Sequence, residues 1–345
     1  MHKLLAVIVT WNCGSVQISE TLRSLLDSFH HAESAGITED FLVHIWDNNS
    51  EVTNQPLFLQ DERLLTTLHH TNIGFAAANN LGAQTEFDAN WLLLINPDAM
   101  LAEESLLKII EQAQAHPDFS VFGFSLVSAC QRHLLDGLGD IFHFSGFSWR
   151  DGFHHQAALS TTLSQPYETF AVCGAAMLIR RDVFEALGGF DEDFFCYQED
   201  VDLGFRLRLM GHRALQVPSA VVYHVGSQST GGHRSDFSVY HGRRNLVWCY
   251  VKNMPGILFW LFLPLHLALN VVELIYFTCQ GQGRVIWRAK WDAIKGLPKM
   301  WRKRHQIQSK RVATLGDIWL ALDKRLWPWS FKSIRAKSGR RFGKD

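Results

Sequence analysis

Several groups able to hold a cation or move a proton stand where apolar runs stop. WLLLI gives way to Asn96-Pro97-Asp98, FLVHIW to Asp47 and AVVY to His224, while an aromatic turn, FDEDFFCY, leads into Glu199, Asp200 and Asp202. A carboxylate at a strand end faces a cleft partly stripped of water. Mg2+ and Mn2+ take one or two such carboxylates and leave the rest of their shell to phosphate oxygens and water. Asp98 with Asn96 would then form half of a metal–diphosphate site, with His224 as a nitrogen ligand. Asp47 could accept from a nucleotide base or a ribose hydroxyl. Aromatic walls beside Glu199 and Asp200 would move a carboxyl toward neutrality, as a general base requires. HGRRN supplies Arg243 and Arg244, guanidiniums suited to grip a diphosphate. Each feature also has a plainer reading: an Asn-Pro-Asp turn, an Asx turn at Asp47, acidic capping of a helix start, a satisfied strand-end histidine, a solvated basic turn.

Bringing these groups together requires strands that end at one edge. LLAVIVTWN precedes SVQISETLRSLLDSF, with leucines at helical spacing. FLVHIWDNNS is a second strand and turn, NIGFAAANNLGAQ a loop entering a helix, and WLLLINPDAM with EESLLKIIEQAQAH a further strand and helix. Such alternation implies βαβ units and a mostly parallel sheet, whose ligands bind at the carboxyl ends of the strands. Asn12, Asp47 and Asp98 lie at such ends. The opening apolar run is too short for a signal peptide and reads as the first strand. FAVCGAAMLIRRDVFEALGG predicts a strand over 171–179 and a helix closing at Gly188-Gly189. Residues 123–165 are Gly-, His- and Phe-rich and fit either an antiparallel excursion or an acceptor-facing loop; 226–240 read as a loop.

The 345 residues, 47% of them apolar, suffice for one large domain and an appendage. Six scattered cysteines suit a reducing compartment and oppose a disulfide framework or zinc site. From Gln280 onward 18 Lys and Arg face 4 Asp and Glu, a net +14, against −15 for the preceding 279 residues. A basic tail implies an anionic partner surface. Tryptophans at 287, 291, 301, 319, 327 and 329 favour a membrane interface over nucleic acid. Before the tail, the apolar stretch 256–279 is long enough to span a bilayer. On a helix, however, His266, Asn270 and Glu273 form one stripe continued by Gln280 and Arg284. That pattern favours a helix in the membrane plane or packed on the body, kinked at Pro264.

In order, VIVTWN, WDNNS, NIGFAAANN, LLLINPDA, the run from CGAAMLIRRDVFEALGG to YQEDVDLGFRLRLMGHR, VYHVGSQST and GRRN resemble the inverting family 2 glycosyltransferases, and within them the rhamnosyltransferase-like branch. The resemblance covers about 1–250. It implies a GT-A fold: an α/β, Rossmann-like, mostly parallel central sheet with helices on both faces. Residues 251–345 would add a helical, membrane-associating extension. It further implies a divalent cation, Mg2+ or Mn2+, held by Asp98 and His224, with Asn96 replacing the first Asp of the usual DXD signature. Asp200 would be the base with Glu199 beside it; Thr10, Asn12, Asp47, Asn49, Gly74, Phe75, Asn79, Asn96, Arg243 and Arg244 would surround the nucleotide-sugar. The implied reaction is single-displacement transfer, first from dTDP-L-rhamnose and second from a UDP-hexose, to a lipid-linked saccharide at the inner face of the cell membrane. A polyprenyl-phosphate sugar synthase keeps the chemistry and changes the acceptor. An inactive scaffold would need none of Asp98, Asp200 and His224. A dinucleotide oxidoreductase or P-loop protein is excluded by the absence of GxGxxG and GxxxxGK[ST].

Overall fold

LLAVIV alternates between two buried faces, so the first strand must lie inside a sheet covered on both sides. In a computed structural model, which describes residues 2–51, 61–158, 165–226 and 234–325, it does. Strand β1 (His2–Thr10) pairs in parallel with β2 (Thr38–Asp47) and β4 (Trp91–Ile95), and β2 with β3 (Leu64–Leu68). Leu4, Ala6 and Ile8 face helices α1 (Ser15–Ser34) and α3 (Ser105–Ala115), while Leu5 and Val7 face α2 (Phe75–Gly82). A short β5 (Ala99–Leu101) follows the Asn96–Asp98 turn.

The other half of the sheet adds β6 (Val121–Ser128), β11 (Ala176–Arg180) and β12 (Ala214–His224). Strand β11 runs antiparallel to both β4 and β6, whereas β12 is parallel to β6. The strands β1, β2, β4, β6 and β12 therefore all point the same way. Their carboxyl ends, together with the start of β11, meet at one edge. Short strands β7 (Leu135–Gly137), β8 (Asp140–Phe142) and β9 (Ser148–Arg150) make the described part of the 123–165 stretch an antiparallel excursion beside that edge, while β10 (Tyr167–Thr169) pairs antiparallel with the start of β12. Helices α4 (Arg181–Ala186) and α5 (Glu199–Leu209) complete this half.

A helical layer follows: α6 (Asp236–Asn253), α7 (Gly256–Phe277), α8 (Gly283–Ser309) and α9 (Leu315–Ala321). The boundary expected at 250/251 falls inside α6. Buried charges stitch the layer to the body: Lys252 lies 2.5 Å from Asp191 and 2.6 Å from Asp202. Helix α7 turns its polar stripe inward. His266 stacks on Tyr250 at 4.0 Å between ring centroids, and Glu273 pairs with Lys290 (2.7 Å) and Arg243 (2.8 Å). The helix continues through Pro264; the break comes at Gly281, with φ 83°. Gln280 and Arg284 are consequently exposed, since the break ends the register that aligned them with the stripe.

The outward face of α7 is apolar, with Ile257, Trp260, Leu261, Leu265, Leu267, Val271, Val272, Ile275 and Tyr276 exposed. By length and composition the apolar helix could cross a membrane. Trp327, Trp329 and the basic residues beyond 325 lie outside the described residues, as do 159–164 and 227–233.

Candidate active site

The turn after β4 answers to β12 across the sheet. Asp98 accepts from the Gly226 amide (3.0 Å) and its Oδ1 lies 3.3 Å from His224 Nε2. On its other side His224 Nδ1 donates to Asp136 Oδ2 (2.7 Å), an oxygen that also receives Arg150 Nη1 (2.7 Å). Burial alone would lower the His224 pKa, but the flanking carboxylates of Asp98 and Asp136 outweigh it and hold it at about 9. Burial raises Asp98, and the His224 charge with the Gly226 amide more than reverses that, leaving it below the usual carboxylate range.

A second set comes from α5. The loop before it places Phe195, Tyr197 and Gln198 at φ 63°, 68° and 69°. Asp200 Oδ2 then accepts from the Gly174 amide, two residues before β11 (2.9 Å). Burial first, then the charge of Asp200, push Glu199 well above its ordinary range, and the same two causes raise Asp140. Asp202, the third acid of this cluster, instead faces away and is fully buried against Arg206 and Lys252.

Both sets line one hollow of about 220 Å³, along with Trp11, Asn48, Asn72, Phe75, Arg150, Phe195, Tyr197 and Phe237. Of the residues expected there from sequence, it contains Phe75, Asn96, Asp98, Glu199, Asp200 and His224. Others sit one position away. Thr10, Asn12, Asp47 and Asn49 flank Trp11 and Asn48, which form the wall. Thr10 is wholly buried, and Asp47 accepts from the Ser50 amide three residues on (2.7 Å), a local turn contact. Asn12 and Asn49 take φ 47° and 65°, and Asn12 accepts from the Glu51 amide (2.9 Å). Gly74 makes room for the opposite loop, because a Cβ there would stand 2.6 Å from the Phe195 ring. Asn79 is buried and donates to the Phe75 carbonyl inside α2.

Arg243 and Arg244 do not line the hollow. Helix α6 carries them to Glu273 and to the Asp193 and Phe194 carbonyls, respectively. Among the described residues Arg150 is the lysine-or-arginine cation at the hollow. It escaped the sequence reading, as did Asp136 and Asp140, because all three lie in the weakly periodic 123–165 stretch. A wider depression, about 760 Å³, opens at the opposite end of β1 and β4. Its arginines are committed, Arg180 to Asp182 and Arg181 to Glu185 and the Phe87 and Thr85 carbonyls.

Two places could receive a cation. Asp98 Oδ1 and His224 Nε2 face each other with Asn96 alongside, whose Oδ1 is buried without a partner among the described residues. Asp136 fixes the imidazole from behind, the outer contact that orients a metal-ligating histidine. This donor set fits Mg2+ or Mn2+ with phosphate oxygens completing the shell. The second is acidic: ligand atoms of Asp140, Cys173 and Asp200 lie within 4.8 Å of one another. There the Arg150 charge already offsets the carboxylates.

The profile described as glycosyltransferase like family 2 matches residues 2–250. Over 75 residues the chain is 41% identical to the N-acetylglucosaminyl-diphospho-decaprenol L-rhamnosyltransferase of Mycobacterium tuberculosis, covering 22% of this chain and 24% of that protein. Over 187 residues it is 25% identical to rhamnosyltransferase WbbL of Escherichia coli K12, covering 49% and 63%. Each match spans less than two thirds of the relative's length. In fold the chain is similar to the mannosyltransferase PcManGT of Pyrobaculum calidifontis, solved with GDP-Man and Mn2+: TM-score 0.52, 16% identity, covering 92% of this chain and 86% of that one.

Proposed function

The chain belongs to glycosyltransferase family 2, and from that membership we propose that it transfers a sugar from a nucleotide-sugar to a hydroxyl group with inversion at the anomeric carbon. One observation carries the reading: Asp98, His224, Glu199 and Asp200, distant in sequence, line a single hollow at the carboxyl edge of the sheet. Trp11, Asn48, Asn72 and Phe75 form the donor wall, with aromatic and amide groups suited to a base and ribose. Asp98, His224 and Asn96 would hold a divalent cation, which when bound neutralises charge on the departing diphosphate. Asp200, steadied by the Gly174 amide, takes the proton from the acceptor hydroxyl as C1 is attacked from the face opposite the leaving group. Glu199, kept protonated by burial and by its neighbour, donates a hydrogen bond to the acceptor rather than competing as a base. Phe195, Tyr197 and Phe237 wall the acceptor side and exclude water.

The relatives named as rhamnosyltransferases support dTDP-L-rhamnose as the first donor to test. The lipid-linked acceptor is supported by the helical layer. Next to the apolar face of α7, the exposed side of α8 interleaves Trp287, Trp291 and Trp301 with Arg284, Arg288, Lys295 and Arg302. Tryptophan with basic side chains suits the headgroup region of an anionic bilayer, so both helices would lie in the plane of the membrane's inner face.

A panel of nucleotide-sugars incubated with Mg2+ or Mn2+, read as released nucleoside diphosphate, tests the assignment. One donor should be turned over by the wild type and about 10³-fold more slowly by Asp200→Asn. Absence of turnover across the panel, with acceptor lipid supplied, would remove the proposal.

A further inference from the structure

Phe195, Tyr197 and Gln198 all occupy the left-handed region, which disfavours L side chains, and the next residues are Glu199 and Asp200. Three such residues in a row of four persist only where the surroundings over-determine them. Chief among those surroundings is one side chain. Asn245, wholly buried on α6, brings its amide nitrogen to the carbonyls of Phe194 (2.8 Å), Cys196 (2.9 Å) and Tyr197 (2.7 Å). Its own oxygen accepts from Arg244 Nε (2.9 Å), which fixes the amide the right way round. Arg244 adds contacts to the Asp193 and Phe194 carbonyls. On the far side the Phe195 carbonyl accepts from the Ala76 amide (3.1 Å), and the missing side chain of Gly74 admits the Phe195 ring.

We propose that Asn245 is a positioning residue for Asp200: it holds the 194–197 loop in a conformation that the loop's own residues disfavour, and the loop aims the first turn of α5 into the hollow. Asn245 does not line the hollow, so its effect reaches the reaction only through this loop. Without its amide, three carbonyls lose their shared donor and the loop relaxes toward ordinary dihedral angles. The word positioning rests on the glycosyl-transfer reading; the clamp itself does not.

Cys196 reports on the clamp. Burial pushes its thiol well above the ordinary range, whereas Cys130 and Cys279 are exposed and Cys249 is buried deep in the helical layer. In full-length Asn245→Ala, alkylation of Cys196 followed by peptide mass spectrometry should run at least about tenfold faster than in wild type, with Cys249 still protected. Turnover should fall about 100-fold in kcat with donor KM unchanged. Adding Gln198→Gly, which accepts the positive φ without strain, should restore part of kcat. Asn245→Asp, which keeps the volume but sets an acceptor oxygen in place of the amide donor against the three carbonyls, serves where the alanine variant does not fold. Unchanged Cys196 reactivity, or Cys196 and Cys249 becoming reactive together, would overturn the proposal. If wild type turns over no nucleotide-sugar, the glycosyl-transfer reading fails while the alkylation result still decides the clamp.

Discussion

Two buried groups of charges, one at the hollow and one under the helical layer, obey opposite rules. Under the layer, Asp202 faces Lys252, Asn253 and Arg206, and Asp191 faces Lys252 and Lys303, so every carboxylate oxygen meets a donor. Coulomb attraction there exceeds desolvation, and Asp191 is held below its usual range by the two lysines against the upward pull of burial. At the hollow Glu199 Oε2 and Asn96 Oδ1, and behind it Asp140 Oδ2, are buried with no partner among the described residues. Burial wins, and Asp140 and Glu199 are driven upward. An unsatisfied buried polar atom calls for a reason, and in a cleft a catalytic or binding role is one. The paired carboxylates under the layer hold it to the body; on the glycosyl-transfer reading, the unpaired groups at the hollow meet substrate.

That contrast can be broken by mutation. Asp200→Asn should lower turnover by about 10³-fold, the middle of the usual range for removing a general base, while the melting midpoint barely moves. Lys252→Met should do the reverse in kind. Leaving Asp191 and Asp202 without their shared cation costs roughly 3–5 kcal/mol, read by denaturant unfolding, and the loss reaches activity only through the fraction unfolded.

Glu199→Gln separates the networks by pH. An acid whose folded pKa lies above its unfolded one keeps its proton in the folded state, so it costs stability once pH rises past the unfolded value near 4. The glutamine variant should therefore match wild type at pH 3.5 and melt higher at pH 7. Asp191, depressed by its lysines, has the opposite sign: its contribution is present at pH 7 and is lost as pH falls below about 4, in wild type but much less in Lys252→Met. The smallest effect belongs to the surface. Trp287→Ser with Trp291→Ser should weaken sedimentation with anionic vesicles about tenfold and leave unfolding unchanged.

What was legible in the sequence followed from local rules. WLLLI and LLAVIV are continuous apolar runs and become central strands; the groups that end them reach one edge because parallel strands share a direction. The inward stripe of His266 and Glu273 was likewise readable from helical spacing. Asp136, Asp140 and Arg150 were not, because three-residue strands leave no periodicity and their pairing is set by contacts distant in sequence. Arg243 and Arg244 were read as phosphate ligands from residue type alone. Only the packing of α6 against the loop after α4 shows them bound to Glu273 and to backbone carbonyls, with Asn245, unremarked in the motif, as the clamp.

The claim beneath all of this is that the hollow works as one site for donor and acceptor. Its most direct test is the configuration at C1 of the transferred sugar, followed by NMR during turnover of the donor that the panel selects. Inversion in wild type, with product from Asp200→Asn slowed about 10³-fold, is the expected result. Retention of configuration, or product formed at the wild-type rate by the variant, would contradict it.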